Sequence, residues 1–303
     1  MNKNSNSYII IYTVVMVIVV AVILSVVSLS LKGRQEQNVL VERRIDILRS
    51  IGKALNEGKA KDKVAYIEAE YRKYIVDSYV VNASGDTVAG ADAFSVLRNI
   101  KAEYDKPAAQ RELPVFVAAV DSSRRYILPV WGKGLWGPLW GYVALESDWT
   151  TIAGVVLDHS SETPGLGAEI ADAEFQARFD GKSIFDGEKF VSITLLKGKG
   201  SSAGNPHAVD AISGGTITCR GVEAMFKNSL SGYLAHIEKI KSYELRIASE
   251  QTDSTTVTSV VDSTIVVAPQ HTLRRAPAPA SDSSATAETP EASQVQEPSN
   301  TDN

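Results

Sequence analysis

The pattern of apolar and polar positions changes character several times along this chain. Residues 8–31 contain no charged side chain and are dominated by Val and Ile, with Tyr8 and Tyr12 near one end. That length suffices for one helix to cross a bilayer, which takes ~20 apolar residues. A cleaved signal peptide has an apolar region of only ~7–15 residues, so length favours a retained anchor over residues 1–31, even though Ser28-Leu29-Ser30 would suit a cleavage site. A buried soluble helix of this length would show a polar stripe. Beyond it, Val41, Ile45, Leu48, Ile51 and Leu55 recur every three to four residues, with Glu42, Arg44 and Lys53 on other faces. They predict an amphipathic helix in a membrane-proximal segment, residues 32–70, able to pack on the following domain or on a neighbouring membrane protein.

From Tyr74 onward the pattern shortens to β-branched and aromatic runs at 75–82, 115–120, 125–130, 141–146 and 152–158. Turn signals such as Ser84-Gly85-Asp86 and Gly132-Lys133-Gly134 separate them, as expected for an antiparallel sheet. Residues 172–179 and 222–235 read as helices, and 191–196 and 208–212 as further strands. The predicted fold class is α+β: a mainly antiparallel sheet flanked by helices over residues 71–248. Residues 249–303 are rich in Ser, Thr, Pro, Ala and Glu and predict a disordered tail, apart from an apolar patch at 257–267 suited to a transient strand.

Composition narrows the chemistry. A net charge of -5 over 303 residues gives no reason to expect nucleic acid as a partner. Cys219 is the only cysteine, so the chain has no internal disulfide and no cysteine-based metal or iron–sulfur site of its own. His159, His207, His236 and His271 lack metal-ligand spacing, and Ser213 lies in no Gly-x-Ser-x-Gly elbow, so neither a metal centre nor a Ser–His–Asp hydrolase is expected. Any redox work requires a borrowed cofactor. Lys32, Arg34, Arg43 and Arg44 follow the anchor and only Lys3 precedes it. Taken alone, that asymmetry would keep the large domain in the cytoplasm.

Three segments carry candidate chemistry. In Asp210-Ala211-Ile212-Ser213-Gly214-Gly215-Thr216 a hydroxyl follows a glycine pair and precedes a helix predicted to start at Thr218 or Cys219. Glycine backbone lets N–H groups approach an anion, and a helix N-terminus attracts one, although Ser-Gly-Gly-Thr is also an ordinary turn. Residues 131–141 hold three of the four tryptophans among glycines. Trp131 and Trp140 read as core, and Trp136 as a surface on which a flat ring can stack. Glu162-Thr163-Pro164-Gly165-Leu166-Gly167 reads by itself as a turn.

Taken together and in their order along the chain, 131–141, 162–167 and 210–216, the segments resemble the FMN-binding domain family. The 210–216 segment is similar to the Asp-x-x-Ser/Thr-Gly-Ala-Thr signature on which flavin transferases esterify FMN phosphate to the last threonine, here Thr216, with Gly215 where the signature has alanine. The 162–167 segment is similar to the Glu-Thr-Pro-Gly-Leu-Gly loop that lies over the flavin. With the amino-terminal anchor, and with Gly-Lys-Gly-Leu-Trp at 132–136 and Gly-Tyr-Val-Ala-Leu-Glu at 141–146, the chain resembles the C-type subunit of sodium-translocating NADH:quinone reductases more than the G-type subunit of the Rnf electron-transport complex.

The resemblance implies a single-pass inner-membrane subunit with its flavin domain on the extracytoplasmic side, against the charge asymmetry. It further implies covalent FMN on Thr216, electron relay toward quinone within a complex of partner subunits, a flavin transferase for maturation, and sodium passage through other subunits. Ser213, Gly214 and Thr218 would surround the phosphate, Lys197 would offset its charge, and Leu135, Trp136, Glu162, Thr163 and Leu166 would line the isoalloxazine. Asp210 would orient the acceptor strand or be recognised by the transferase. Cys219, near the helix start, reads as a small structural residue rather than a reactive thiol. The competing readings are an Rnf-type ferredoxin:NAD oxidoreductase subunit and a non-enzymatic membrane-anchored envelope domain in which 213–216 is only a turn.

Overall fold

The computed structural model describes residues 6–54 and 56–253. The predicted strand at 257–267, the tail from 254 and Leu55 lie outside the described residues.

The anchor and the amphipathic segment form one element, α1 (Asn6–Ser50), 45 residues long. The sequence pattern separates them where charge appears at Lys32, but no proline interrupts the helix, and Gly33 in a helix interior costs only about 1 kcal/mol. Its apolar part is exposed all round and is the one span among the described residues long and apolar enough to cross a membrane. From Val41 the environment reverses: Val41, Ile45, Ile47, Leu48 and Ile51 are buried. The helix stops at Gly52, whose φ of 73° suits glycine. There the Gly52 and Lys53 N–H groups return to the Arg49 and Leu48 carbonyls, each at 2.9 Å, which closes the last turn in a Schellman arrangement.

α2 (Lys63–Tyr74) begins at Asp62, whose carboxylate accepts the Ala65 N–H at 3.0 Å. β1 (Ile75–Asn82) follows it directly, and two short helices, α3 (Ala93–Arg98) and α4 (Ile100–Asp105), lead to β2 (Glu112–Val120). With β3 (Ser123–Lys133), β4 (Pro138–Leu145) and β5 (Ile152–His159) these strands form a five-stranded antiparallel meander in chain order. The α+β expectation therefore holds; α2 begins within the segment expected to be helical, whereas α3 and α4 were not predicted.

Both faces of the sheet are buried, and alternation along each strand divides the core. Leu113, Val115, Leu128, Val130, Val143 and Leu157 point to one face. Phe116, Ala118, Ile127 and Ala144 point to the other, where Ile45, Leu48, Ile67 and Leu97 of α1, α2 and α3 cover them. The end of the anchor helix is thus part of the domain core. A fully buried aliphatic or aromatic side chain contributes about 1.5–3 kcal/mol, so detaching α1 would remove several such contributions.

The first face is covered by later elements. After β5 come α5 (Ala173–Gln176), the small hairpin β6 (Phe185–Asp186) and β7 (Lys189–Phe190), and a parallel pair, β8 (Thr194–Leu196) and β9 (Ala208–Asp210). β9 delivers the chain to α6 (Thr216–Leu230), whose Val222, Met225, Phe226 and Leu230 fill this face. Tyr233, fully buried, donates to the Pro114 and Pro129 carbonyls at 3.1 and 3.3 Å and so ties the end of α6 to β2 and β3. α7 (Leu234–Asp253) closes the described chain and runs past Ser249, where the composition changes.

Candidate functional site

Antiparallel pairing brings three distant segments to one end of the sheet. The β3–β4 hairpin turns at 134–137, where the Gly134 N–H donates to the Gly137 carbonyl at 2.8 Å. β5 ends beside it, since Leu139 pairs with His159, and the chain continues into the 160–167 loop. α6 crosses β3 so closely that a side chain at Gly221 would meet the Lys133 carbonyl at 2.5 Å, which sets the first turn of α6 against the hairpin tip.

Between them lies a cavity of about 220 Å³. Leu135 of the hairpin, Glu162, Thr163, Leu166 and Gly167 of the loop, and residues 214–218 of the α6 entrance line it. Gly214 has a φ of 77°, a left-handed conformation that favours glycine, and a Cβ there would meet the tip of the Leu166 side chain at 2.5 Å, so Leu166 would have to move. Gly215 caps α6 without a side-chain hydrogen bond. First-turn N–H groups lack intrahelical carbonyl partners, and they carry the positive end of a 15-residue helix dipole. Thr216, half-buried, is the first residue of that helix.

Glu162 is 5% exposed. Its Oε2 accepts the Thr218 hydroxyl at 2.6 Å and its Oε1 the Trp136 N–H at 2.9 Å. Burial pushes this carboxyl up, but hydrogen bonds from Thr218 and from the N–H groups of Trp136, Gly137 and Leu135 prevail and hold it below the usual glutamate value. His159 Nδ1 accepts the Glu162 N–H at 3.2 Å, which fixes the start of the loop.

Seven of the ten residues expected at the site line the cavity together: Leu135, Glu162, Thr163, Leu166, Gly214, Thr216 and Thr218, the last with its hydroxyl proton committed to Glu162. Trp136 stands at the rim, 66% exposed. Ser213 is exposed beside the glycine pair, and Lys197 sits on an exposed turn outside the cavity lining. Asp210 does not face the acceptor. Its carboxylate receives the Gly200 N–H, the Ser202 N–H at 2.8 Å and the Ser201 hydroxyl at 3.3 Å, and the Gly200 and Ser202 N–H groups hold it at about 2. Cys219 is buried, accepts the Ile212 N–H at 3.3 Å, and has its thiol pushed up by burial, in keeping with a structural role.

Trp131 and Trp140 are a directly opposed cross-strand pair, stacked at 6.1 Å and half-buried, with Trp131 packed against the core as expected. The fully buried indole is Trp149, against Tyr126. Ile217, 55% exposed, lines the cavity and was missed. Its signal was available: it is an apolar residue out of phase with the core positions Val222, Met225 and Phe226 of α6.

Residues 134–231 match the FMN-binding domain family, a span that contains every cavity-lining residue. The chain is 31% identical to the C-type subunit of the Na(+)-translocating NADH-quinone reductase of Haemophilus ducreyi over 253 residues, covering 77% of this chain and 95% of that protein. It belongs to the family of these reductase subunits, NqrC. A second relative of the same name, from Neisseria meningitidis serogroup B, is 33% identical over 255 residues, covering 80% of this chain and 96% of the relative. Solved NqrC structures match the fold as well. That from Parabacteroides distasonis has a TM-score of 0.58 at 40% identity, covering 68% of this chain and 96% of that one. The Shewanella oneidensis NqrC structure has a TM-score of 0.55 at 28% identity, covering 66% and 97%.

The geometry suits the cofactor that the matched domain family binds. Glycine backbone, a helix N-terminus and a hydroxyl at one end of the cavity meet the needs of a phosphate. Leu135, Leu166 and Ile217, each more than two-fifths exposed, and the indole of Trp136 offer an apolar edge to a flat ring. The cavity is smaller than the ~300–1,000 Å³ usual for small-molecule sites, so it would hold part of FMN and leave the remainder at the rim.

Proposed function

We propose that this chain carries FMN esterified through its phosphate to Thr216 Oγ1, and that it relays electrons to quinone inside a sodium-pumping NADH:quinone reductase. The observation that carries the reading is the position of Thr216: a half-buried hydroxyl on the first residue of α6, in a glycine-lined cavity, within the span that matches FMN-binding domains. Gly214 and Gly215 admit the phosphate to the backbone, and the α6 N-terminus attracts its charge. Ser213, beside the glycine pair, would add a hydroxyl at the outer edge. Leu135, Leu166 and Trp136 would orient the ring, and Thr163 would support the loop, since its carbonyl accepts the Leu166 and Ala168 N–H groups at 3.1 Å each. Lys197 would act on the phosphate only through a long-range field.

When bound, FMN supplies one- and two-electron redox chemistry; this chain contributes position and electrostatics. Electron relay requires no general base. Partner subunits would supply the NADH chemistry and the sodium path, since one apolar helix without a charged residue cannot form an ion path. A flavin transferase would form the ester on the extracytoplasmic face of the inner membrane.

The test is intact mass and in-gel flavin fluorescence of the full chain co-produced with a flavin transferase. The expected result is a denaturation-resistant FMN adduct that Thr216→Val abolishes. No adduct in the wild-type chain, with the transferase active on a control, overturns the reading. Protease protection in sealed inner-membrane vesicles tests the side: cleavage of the domain only from the cytoplasmic face refutes the orientation.

A further inference from the structure

We infer that Glu162 is a positioning residue rather than a ring contact: it fastens the hairpin tip to the first turn of α6 and holds a fixed negative charge beside the flavin. The electrostatic half rests on the FMN function proposed above, the positioning half on geometry alone. Both carboxylate oxygens are engaged by hydrogen-bond donors of this chain. Oε1 takes the Trp136 N–H at 2.9 Å and Oε2 the Thr218 hydroxyl at 2.6 Å. Glycine packing seals the carboxylate on two sides. A Cβ at Gly167 would meet Oε2 at 2.7 Å, and one at Gly134 would meet the Glu162 Cδ at 3.1 Å. Three segments that have no covalent continuity within the site are therefore held by one side chain, and Trp136, with an otherwise exposed indole, has its backbone fixed by it.

Both functions follow from the chemistry of the bonds. A carboxylate accepting an O–H and an N–H in a space from which water is excluded is stabilised in its charged form, and charge-assisted hydrogen bonds of this kind are the strong ones. A fixed negative charge near a group that gains electrons opposes the gain. Glu162 therefore biases the bound flavin toward a more negative potential, while Thr218 tunes the clamp without carrying charge.

The experiment uses the full chain in detergent, co-produced with the transferase, as wild type, Glu162→Gln, Thr218→Val and Thr218→Ser. Hydrogen exchange across 134–137 and the midpoint potential of the bound FMN are measured on each. Exchange is expected to be roughly tenfold faster in Glu162→Gln and Thr218→Val and restored to near wild type in Thr218→Ser. The potential is expected to move positive in Glu162→Gln and much less in Thr218→Val, which keeps the charge. Unchanged exchange in Glu162→Gln and Thr218→Val overturns the positioning role, and an unchanged potential in Glu162→Gln overturns the electrostatic one. Should Glu162→Gln fail to fold, the Thr218 pair decides the clamp. Absence of FMN from the wild-type chain sinks the proposed function instead, and exchange measured on that same chain still decides the clamp.

Discussion

Tyr79 Oη and His236 Nε2 lie 3.0 Å apart, joining the first strand of the sheet to the last helix. The His236 Nδ1, 3.0 Å from the Gly85 carbonyl, can serve there only as a donor, so Nε2 accepts the tyrosine proton. That assignment holds for the neutral ring; protonation would reverse the Tyr79 bond and place a charge on a buried side chain, which burial disfavours.

Acid should therefore loosen this junction. Burial, the leading cause, lowers the His236 pKa below its ordinary 6.5, so the unfolded chain binds a proton over a pH range in which the folded chain does not. The stabilisation is complete above 6.5 and is lost as pH falls from there toward the lowered folded value. Chemical unfolding of the detergent-solubilised chain between about pH 5 and about pH 8 should show stability rising with pH, and His236→Gln should flatten that slope while lowering the plateau.

Asp210 should behave as a turn anchor. Its carboxyl is held at about 2 by the Gly200 and Ser202 N–H groups, so its contribution is present above the ordinary 3.8 and disappears as pH falls between those values. Asp210→Asn should accelerate hydrogen exchange across 198–202 at neutral pH while β1 to β5 keep their protection. Unchanged exchange there would show that the turn holds itself.

The two adjacent glycines should respond oppositely to alanine. At Gly214 an added Cβ meets Leu166 at 2.5 Å and the φ of 77° is left-handed, so Gly214→Ala should destabilise by about 1–2 kcal/mol and cut FMN incorporation sharply. At Gly215 φ is -95° and the nearest atom is the Ile212 Cγ2 at 3.2 Å, the end of a side chain that can shift. Gly215→Ala, which restores the residue of the family signature, should leave flavin content within about twofold and stability within about 1 kcal/mol. Thermal unfolding and flavin absorbance check both.

Trp136 should report the cofactor optically. Its indole is 66% exposed, whereas Trp149 is fully buried and Trp131 and Trp140 are stacked and half-buried. Attachment of FMN should quench the red-shifted part of the tryptophan emission and protect it from iodide, and Trp136→Phe should remove that component in the flavin-free chain. Equal quenching in Trp136→Phe would show that another indole faces the ring.

The five strands were legible because each alternates or runs apolar between turn signals, which is local information. The site was legible as three segments, but the bond between Glu162 and Thr218 spans 56 positions, and no periodicity reports a contact at that separation. Glu162 lines the cavity as expected, but its bonds to the Thr218 hydroxyl and the Trp136 N–H were not legible in the sequence. The α6 start was placed two or three residues late by its capping signal and six late by its apolar pattern, because Thr216 and Ile217 are β-branched and poor helix formers, and Gly215 supplies no capping side chain. The boundary drawn at Lys32 marks a change of composition rather than a change of backbone, since charge appears there and the helix continues through it.

That continuity makes α1 a mast rather than a tether. Between Leu31, the last residue of the uncharged run, and Val41, the first one buried in the domain, lie ten helical steps of about 1.5 Å, or roughly 15 Å of rigid rod. A flexible linker of that reach would let the domain swing over the membrane surface and sample partners at random. In the membrane-anchored subunit proposed above, a rod gripped at its upper end by the sheet would fix height and heading together and present the cavity at a set elevation.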